Sequence, residues 1–330
     1  MTKSVFQTTR QFWVSEPGVG ELRQVVLPRK RENEILVRAR FSGISRGTES
    51  LVFRGDVPPS QYQTMRAPFQ EGDFPGPVKF GYSSVGVVEE GSDRLQGKNV
   101  FCLFPHQDRY CVPETEVFVL PDSVPESRAI LAANMETAVN IFWDARPTAG
   151  DHIIVVGGGV VGLLVAYLCG DLPGSEITVI DPNPAREEVA HTLGVNYEAT
   201  PMPVDGVDLV IHASGHPEGL RSALQMVGVE GTVIEASWYG KQEVSLPLGE
   251  AFHSRRLRIK SSQVGRIAPD RVPRWDRFRR LALALRLLEN DRLDVLITGE
   301  SRFEELPSVL SRLSGNPGDS LCHRIRYTKD

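Results

Sequence analysis

Gly157, Gly159 and Gly162 stand at G-x-G-x-x-G spacing within Gly157-Gly-Gly-Val-Val-Gly162. Alone that spacing is weak evidence, because glycine-rich hexapeptides arise by chance. Context gives it meaning: the apolar run Asp151-His-Ile-Ile-Val-Val156 precedes it, and Val160 to Cys169 continues as a helix. Such a strand–glycine–helix turn suits one task. Gly157 permits the tight turn, Gly159 lets the backbone approach a pyrophosphate, and Gly162 lets helix and strand pack closely. The helix N-terminus, with Val160 and Val161 in its first turn, faces the phosphates with free N–H groups and a favourable dipole. Asp181 ends the next strand, Glu176-Ile-Thr-Val-Ile180, about 20 residues beyond the last glycine, where a ribose-binding acid belongs. Its carboxylate accepts both ribose hydroxyls of NAD and repels the 2′-phosphate of NADP. NAD is the expected cofactor and NADP the less favoured one, with Arg186 near enough to soften the discrimination. The bland alternative, a loop acid without a ligand, does not explain the order of strand, glycines and acid.

These residues need a scaffold, and the chain supplies alternating units. After Gly150 come strands at 151–156, 176–180, 207–212 and 231–235, with helices at 160–169, 185–193 and 217–226 between them. Repeated β-α units imply a parallel sheet with helices on both faces. A further helix is expected at 275–289, where Phe278, Leu281, Ala282, Leu285 and Leu288 recur at helical spacing. The part before residue 124 is β-rich, with strands at 34–40 and 84–88. Residues 54–79, with five prolines, read as one long loop of the kind that forms a lid or cleft wall. A helix is expected over 127–145, and Cys322-His-Arg-Ile-Arg-Tyr327 has strand-like alternation. His152 and His212 fall in expected buried strands and read as structural.

Composition excludes more than it assigns. The chain has 330 residues, enough for two domains, and a formal net charge of -5, which gives no electrostatic case for a nucleic-acid partner. The start lacks the uninterrupted apolar core of a signal peptide, and 153–169 is too short and glycine-interrupted to span a bilayer, so a cytoplasmic protein without membrane contact is expected. Cys102, Cys111, Cys169 and Cys322 form no C-x-x-C pair and read as buried small hydrophobes. Ten basic residues between Arg255 and Arg280 read either as a solvated surface or as a place to hold an anionic substrate.

With these elements placed, the chain resembles the medium-chain dehydrogenase/reductase superfamily over nearly its whole length. Within it, the chain is similar to the zinc-free subgroup that includes bacteriochlorophyllide-type dehydrogenases. The residues that carry this are Gly43-Ile-Ser-Arg-Gly-Thr-Glu49, Phe101-Cys-Leu-Phe-Pro-His106, Ala133-Asn-Met-Glu-Thr-Ala138 and Phe252-His-Ser-Arg-Arg-Leu-Arg-Ile-Lys-Ser-Ser-Gln-Val264. The resemblance implies an α/β protein: a GroES-like β-rich catalytic domain over 1–124, a Rossmann doubly wound sheet over 125–265, and a segment 266–330 that returns to the first domain. It implies a homodimer joined edge to edge near residues 257–263. Zinc-dependent members carry a Cys where this chain has Ser45 and a Gly-His-Glu where it has Gly81-Tyr82-Ser83. Their third ligand falls near Ala133 or Asn134. These substitutes supply no sulfur or imidazole donor, so no zinc is expected.

The chemistry the resemblance implies is transfer of a hydride between NAD(H) and an alcohol or carbonyl substrate. Negative charge develops on oxygen and needs a donor. Tyr82 stands at a lost ligand position, and His106 follows Pro105 with a side chain suited to acid–base work near neutrality. Ser45 and Thr48 lie where relatives place groups facing the reacting centre, with Glu49 in place of the acid that follows. Asn134 and Thr137 belong to the segment beside the nicotinamide in relatives, and Ser214 and Gly215 complete the expected cofactor contacts. Each has a plainer reading: Tyr82 as packing, His106 as a satisfied loop histidine, the hydroxyls as backbone partners. Two other functions fit the same fold, an enoyl- or quinone-type double-bond reductase and a non-catalytic NAD-binding protein.

Overall fold

The computed structural model describes residues 7–201 and 206–328; residues 1–6, part of the start read for a leader, lie outside them. Period-two alternation shapes the first strands. Phe12 and Val14 of β1 (Thr8–Glu16) turn inward, and a two-residue turn leads to β2 (Val19–Val26). Then come β3 (Glu34–Ile44) and the helix α1 (Arg46–Phe53). The proline-rich segment, expected as one loop, contains β4 (Glu71–Gly72) and β5 (Val78–Lys79). There the buried Lys79 ammonium is held by Glu71 and by Gln107 at 3.0 Å. β6 (Ser84–Glu90), β7 (Asn99–Cys102), β8 (Arg109–Pro113), β9 (Val117–Val119) and the single-turn helix α2 (Glu126–Ala129) follow.

The helix expected over 127–145 is broken: α2 stops at Ala129 and α3 runs Ala132–Ala145. Ile130 lies in the break, where its carbonyl accepts a hydrogen bond from the Ser83 hydroxyl. Its Cβ also lies against Gly43, at a point where any side chain would crowd it. A contact 47 residues away, invisible to local periodicity, ends the helix.

The βα alternation then appears, with β12 added to the strands read from the sequence: β10 (His152–Val156), α4 (Val160–Gly170), β11 (Glu176–Ile180), α5 (Arg186–Thr192), β12 (Asn196–Glu198), β13 (Leu209–His212), α6 (Pro217–Met226), β14 (Thr232–Glu235), β15 (Arg258–Ser261) and α7 (Arg277–Leu287). The chain ends with β16 (Ile297–Arg302), α8 (Leu306–Gly315) and β17 (Cys322–Arg326).

Two compact units result, one of residues 1–133 with 297–330 and the other of 134–296. The sequence reading set its boundaries at 124/125 and 265/266. The differences have a local cause: α2 packs on β3 and β6, whereas Arg280 of α7 is tied to Glu136 of α3 at 3.1 Å.

In the first unit, one sheet has the order β2-β1-β5-β4, and a second has β16-β17-β3-β6-β7-β9 with β8 also paired to β3. β17 lies antiparallel to β3, His323 opposite Ile44, so the chain's end completes this sheet. The second unit carries a six-stranded all-parallel sheet, β12-β11-β10-β13-β14-β15. Its strands are covered on both faces, which explains why β10 reads Ile153-Ile-Val-Val156 without a polar break. Each such side chain contributes roughly 1.5–3 kcal/mol by leaving water. His212 is fully buried as expected, but His152 is only half-buried at the strand's start.

The basic run does not act as one block. Arg280 is buried with Glu136 and Asn140, Lys260 binds Asp144, Arg258 and Arg256 bind Glu230, and Arg279 lies 4.0 Å over Trp275. The four cysteines are unpaired; three are buried and Cys111 is half-buried. Among the described residues no helix is long and apolar enough to cross a membrane.

Candidate active site

The glycine loop sits at the C-terminal end of β10, where ligands bind in an open parallel sheet. A Cβ on Gly162 would lie 2.0 Å from the Gly157 carbonyl oxygen, and one on Gly157 would lie 2.6 Å from the Ser214 nitrogen. Around a Cβ on Gly159 there is open space for 4 Å. Two glycines are thus demanded by the protein's own backbone, and the third leaves the N-terminus of α4 unobstructed. Such a cradle fits a dinucleotide's phosphates, with Val160 and Val161 in the first turn.

Asp181 follows β11. Its two carboxylate oxygens accept backbone N–H groups of Gly158 (2.7 Å) and Asn183 (2.9 Å). A carboxylate has about four acceptor positions, so each oxygen keeps capacity for a hydroxyl. Arg186 is buried, has partners within the protein, and lies with its Cγ 3.1 Å from where a Gly158 Cβ would be. Ser214 and Gly215 follow β13 after Ala213, with Ser214 against Gly157. Asn134 and Thr137 lie in α3, Asn134 buried and Thr137 half-buried, each with partners.

Of the residues read as catalytic, the first unit brings four together. The Tyr82 phenol hydrogen-bonds with the Ser45 and Thr48 side chains. Burial, and next the Glu49 charge, push its pKa well above the ordinary tyrosine value. Glu49, on α1, accepts the Ser45 N–H at 2.8 Å with one oxygen and meets His106 Nε2 at 2.8 Å with the other. His106 Nδ1 lies 2.7 Å from the Ser42 hydroxyl, which lies 3.0 Å from the Tyr327 hydroxyl. Glu49 and His106 are 2% and 1% exposed, so both ring nitrogens serve protein partners rather than solvent. The carboxylate only accepts, so Nε2 carries a proton, and in the neutral ring Nδ1 accepts from Ser42. Gly81, at φ 127°, makes room: a Cβ there would lie 2.8 Å from His106 Cδ2.

Sequence reasoning missed Ser42, Tyr327 and the depth of Glu49. Tyr327 is 285 positions from Ser42, and no local pattern links them. The strand-like tail was the one available signal. Among the described residues, no three His, Cys, Asp or Glu side chains are grouped to hold a metal ion.

No family model matches the chain. It is 25% identical over 315 residues to the D-guloside 3-dehydrogenase of Escherichia coli K12, covering 86% of this chain and 87% of that one. It is also 25% identical to an uncharacterised zinc-type alcohol dehydrogenase-like protein of Haemophilus influenzae, with 93% and 96% covered. A solved alcohol dehydrogenase of Escherichia coli CFT073, described as short-chain and complexed with NADH, superposes with a TM-score of 0.77 at 16% identity, covering 97% and 99%. The chain has the fold of the medium-chain alcohol dehydrogenases, a GroES-like unit and a Rossmann unit, as the resemblance implied. Both relatives are named after dehydrogenases, one acting on a D-guloside and one of the zinc-type alcohol dehydrogenase kind.

Proposed function

We propose that the protein is a nicotinamide-dependent oxidoreductase of alcohol or carbonyl groups, with NAD(H) preferred and no zinc in the reaction. The observation that carries the cofactor is the glycine cradle followed, one parallel strand away, by Asp181. The substrate class rests on the relatives, of which one is named for oxidising a sugar glycoside. Ser45, Tyr82 and Asn134 are the wrong donors for zinc, being hydroxyls and an amide, and His106 has no nitrogen to spare. These residue types support the zinc-free, bacteriochlorophyllide-type reading over the zinc-type one.

When bound, the nicotinamide supplies the two-electron acceptor for alcohol oxidation, or the donor for the reverse. The chain's residues do the rest. Gly157 to Gly162 hold the phosphates, Asp181 takes the adenosine ribose, and Thr137, Asn134, Ser214 and Gly215 border the nicotinamide half. In the arrangement where Ser45 and Thr48 donate to the Tyr82 oxygen, the phenol hydrogen goes to a substrate oxygen. The raised pKa keeps that hydrogen in place, so Tyr82 stays a hydrogen-bond donor to the substrate oxygen, while the proton that alcohol oxidation releases passes to solvent and the one that carbonyl reduction consumes comes from it. It follows that the pH–rate profile shows no limb from Tyr82 at or below the ordinary tyrosine pKa of about 10. A limb near 10 that disappears in Tyr82→Phe would refute this. The Glu49–His106–Ser42–Tyr327 chain is a positioning network that fixes the backbone of Ser45 and thereby the phenol.

Cofactor preference is tested by fluorescence titration. NADH should bind about tenfold or more tightly than NADPH, because the Asp181 charge meets the 2′ position and Arg186 is occupied. Asp181→Ala should narrow that gap, and equal affinities in the wild type would sink the preference.

The same reading includes a cytoplasmic two-fold dimer. β15 is the edge of the parallel sheet and exposes Ile259, and an uncovered edge of this kind needs a partner. Light scattering at micromolar concentration should give twice the chain mass; a monomer would rule the dimer out.

A further inference from the structure

His212 reads from sequence as a structural core residue, yet it occupies the centre of a Ser–His–Glu relay. Its Nδ1 lies 2.8 Å from Glu235 Oε2 and its Nε2 2.7 Å from the Ser214 hydroxyl. Glu235 also accepts the Ser237 N–H at 2.7 Å and the Tyr239 hydroxyl at 3.1 Å. A carboxylate engaged by three donors fixes the proton of His212 on Nδ1. In the tautomer with the proton on Nδ1, Nε2 accepts, and the Ser214 hydroxyl spends its one hydrogen on it. What remains on Ser214 Oγ is acceptor capacity. One position takes the His216 N–H at 3.1 Å, and the other is left over.

Gly219 points to the same relay from a separate direction. A Cβ there would lie 2.6 Å from Ser214 Oγ and 2.7 Å from His212 Nε2. A glycine in the first turn of α6, where alanine is the better helix former, leaves the room this hydrogen bond needs.

The sheet order says what meets the leftover acceptor. β11, with Asp181 at its end, and β13, with Ser214 at its end, flank β10 on opposite sides. A dinucleotide whose adenosine ribose meets Asp181 and whose pyrophosphate lies over the glycine loop carries its other half toward Ser214. We infer that Ser214, oriented by His212 and Glu235, is a specific acceptor for a neutral O–H or N–H donor on the nicotinamide riboside half of the cofactor. Candidate donors are a ribose hydroxyl and the carboxamide. His212 and Glu235 are positioning residues acting through Ser214. The inference rests on the dinucleotide reading above.

The test is calorimetric titration of the purified protein with NADH and with ADP, which lacks the nicotinamide riboside. Ser214→Ala removes one oxygen and changes no shape, so folding is not at issue. NADH should bind about five- to tenfold more weakly to it, with ADP unchanged. Gly219→Ala should show the same selective loss. His212→Gln should weaken NADH as well, and the double variant with Ser214→Ala should lose no more than Ser214→Ala alone. Titration with ADP-ribose separates the donors: weaker binding to Ser214→Ala assigns the ribose hydroxyl, and unchanged binding assigns the carboxamide. Wild-type affinity of Ser214→Ala for NADH, or equal losses for NADH and ADP, would overturn the inference alone. Losses that add in the double variant would overturn the relay. A wild type that binds neither NADH nor ADP would remove the dinucleotide reading and this inference with it.

Discussion

Tyr82→Phe is expected to lower turnover about a hundredfold, or about 3 kcal/mol in transition-state stabilisation, while NADH binds as to the wild type. The substitution keeps the ring, which packs edge-on against Phe80 with centroids 5.9 Å apart, and removes only the hydroxyl. What is lost is the proposed donor to the substrate oxygen and the hydrogen-bond partner of Ser45 and Thr48. The cradle at Gly157 to Gly162 and the Asp181 carboxylate are separate parts of the chain and stay as they are. Steady-state kinetics on a turned-over alcohol, with cofactor titration alongside, read both halves. Wild-type turnover would place the donor elsewhere, and Asn134, Thr137 and Thr48 would be the next residues to vary.

Glu49→Ala is expected to cost about 3 kcal/mol of folding stability and to reduce turnover as well. Glu49 is buried and accepts from two N–H groups, Ser45 on one oxygen and His106 on the other. Alanine leaves both donors in a dry place without partners. Glu49→Gln should cost less but not nothing. Its amide offers one acceptor where two donors wait, unless His106 moves its proton to Nδ1 and the hydrogen bonds through Ser42 and Tyr327 reverse. Denaturant melts of the three proteins check this order. An alanine variant as stable as the wild type would mean that Glu49 holds nothing together.

The sequence carried the Rossmann half almost completely, because its signals are local. A buried parallel strand is a short apolar run, its glycine turn has fixed spacing, and the acid closes the next strand. Each of these fits within one βα unit, and β10, α4, β11 and α6 lie within a residue or two of their expected limits. The first unit was legible only in outline. Its mixed strands are short, and its sheet is completed by β17 from the far end of the chain. The break between α2 and α3 depends on Ser83 and Gly43, which no window around residue 130 contains. The site divides the same way. Gly157, Gly162 and Asp181 announce themselves by spacing, whereas the Glu49–His106–Ser42–Tyr327 chain joins four separate segments. His212 shows the limit of reasoning from burial: a histidine in an apolar strand is usually a satisfied core residue, and only the neighbouring ends of β13 and β14 reveal that its partners form a relay.

The central claim is that hydroxyl donors in this chain, with a nicotinamide and without zinc, carry out alcohol oxidation. The direct measurement is NADH formation by the purified, metal-assayed protein from NAD⁺ and a panel of polyols and sugar glycosides, with and without a chelator. The account predicts NADH formation with at least one of them, at the same rate with chelator present, by protein holding well under one zinc per chain. Activity that disappears with the chelator and returns with added zinc, or protein that binds NADH yet oxidises none of these alcohols, would contradict it.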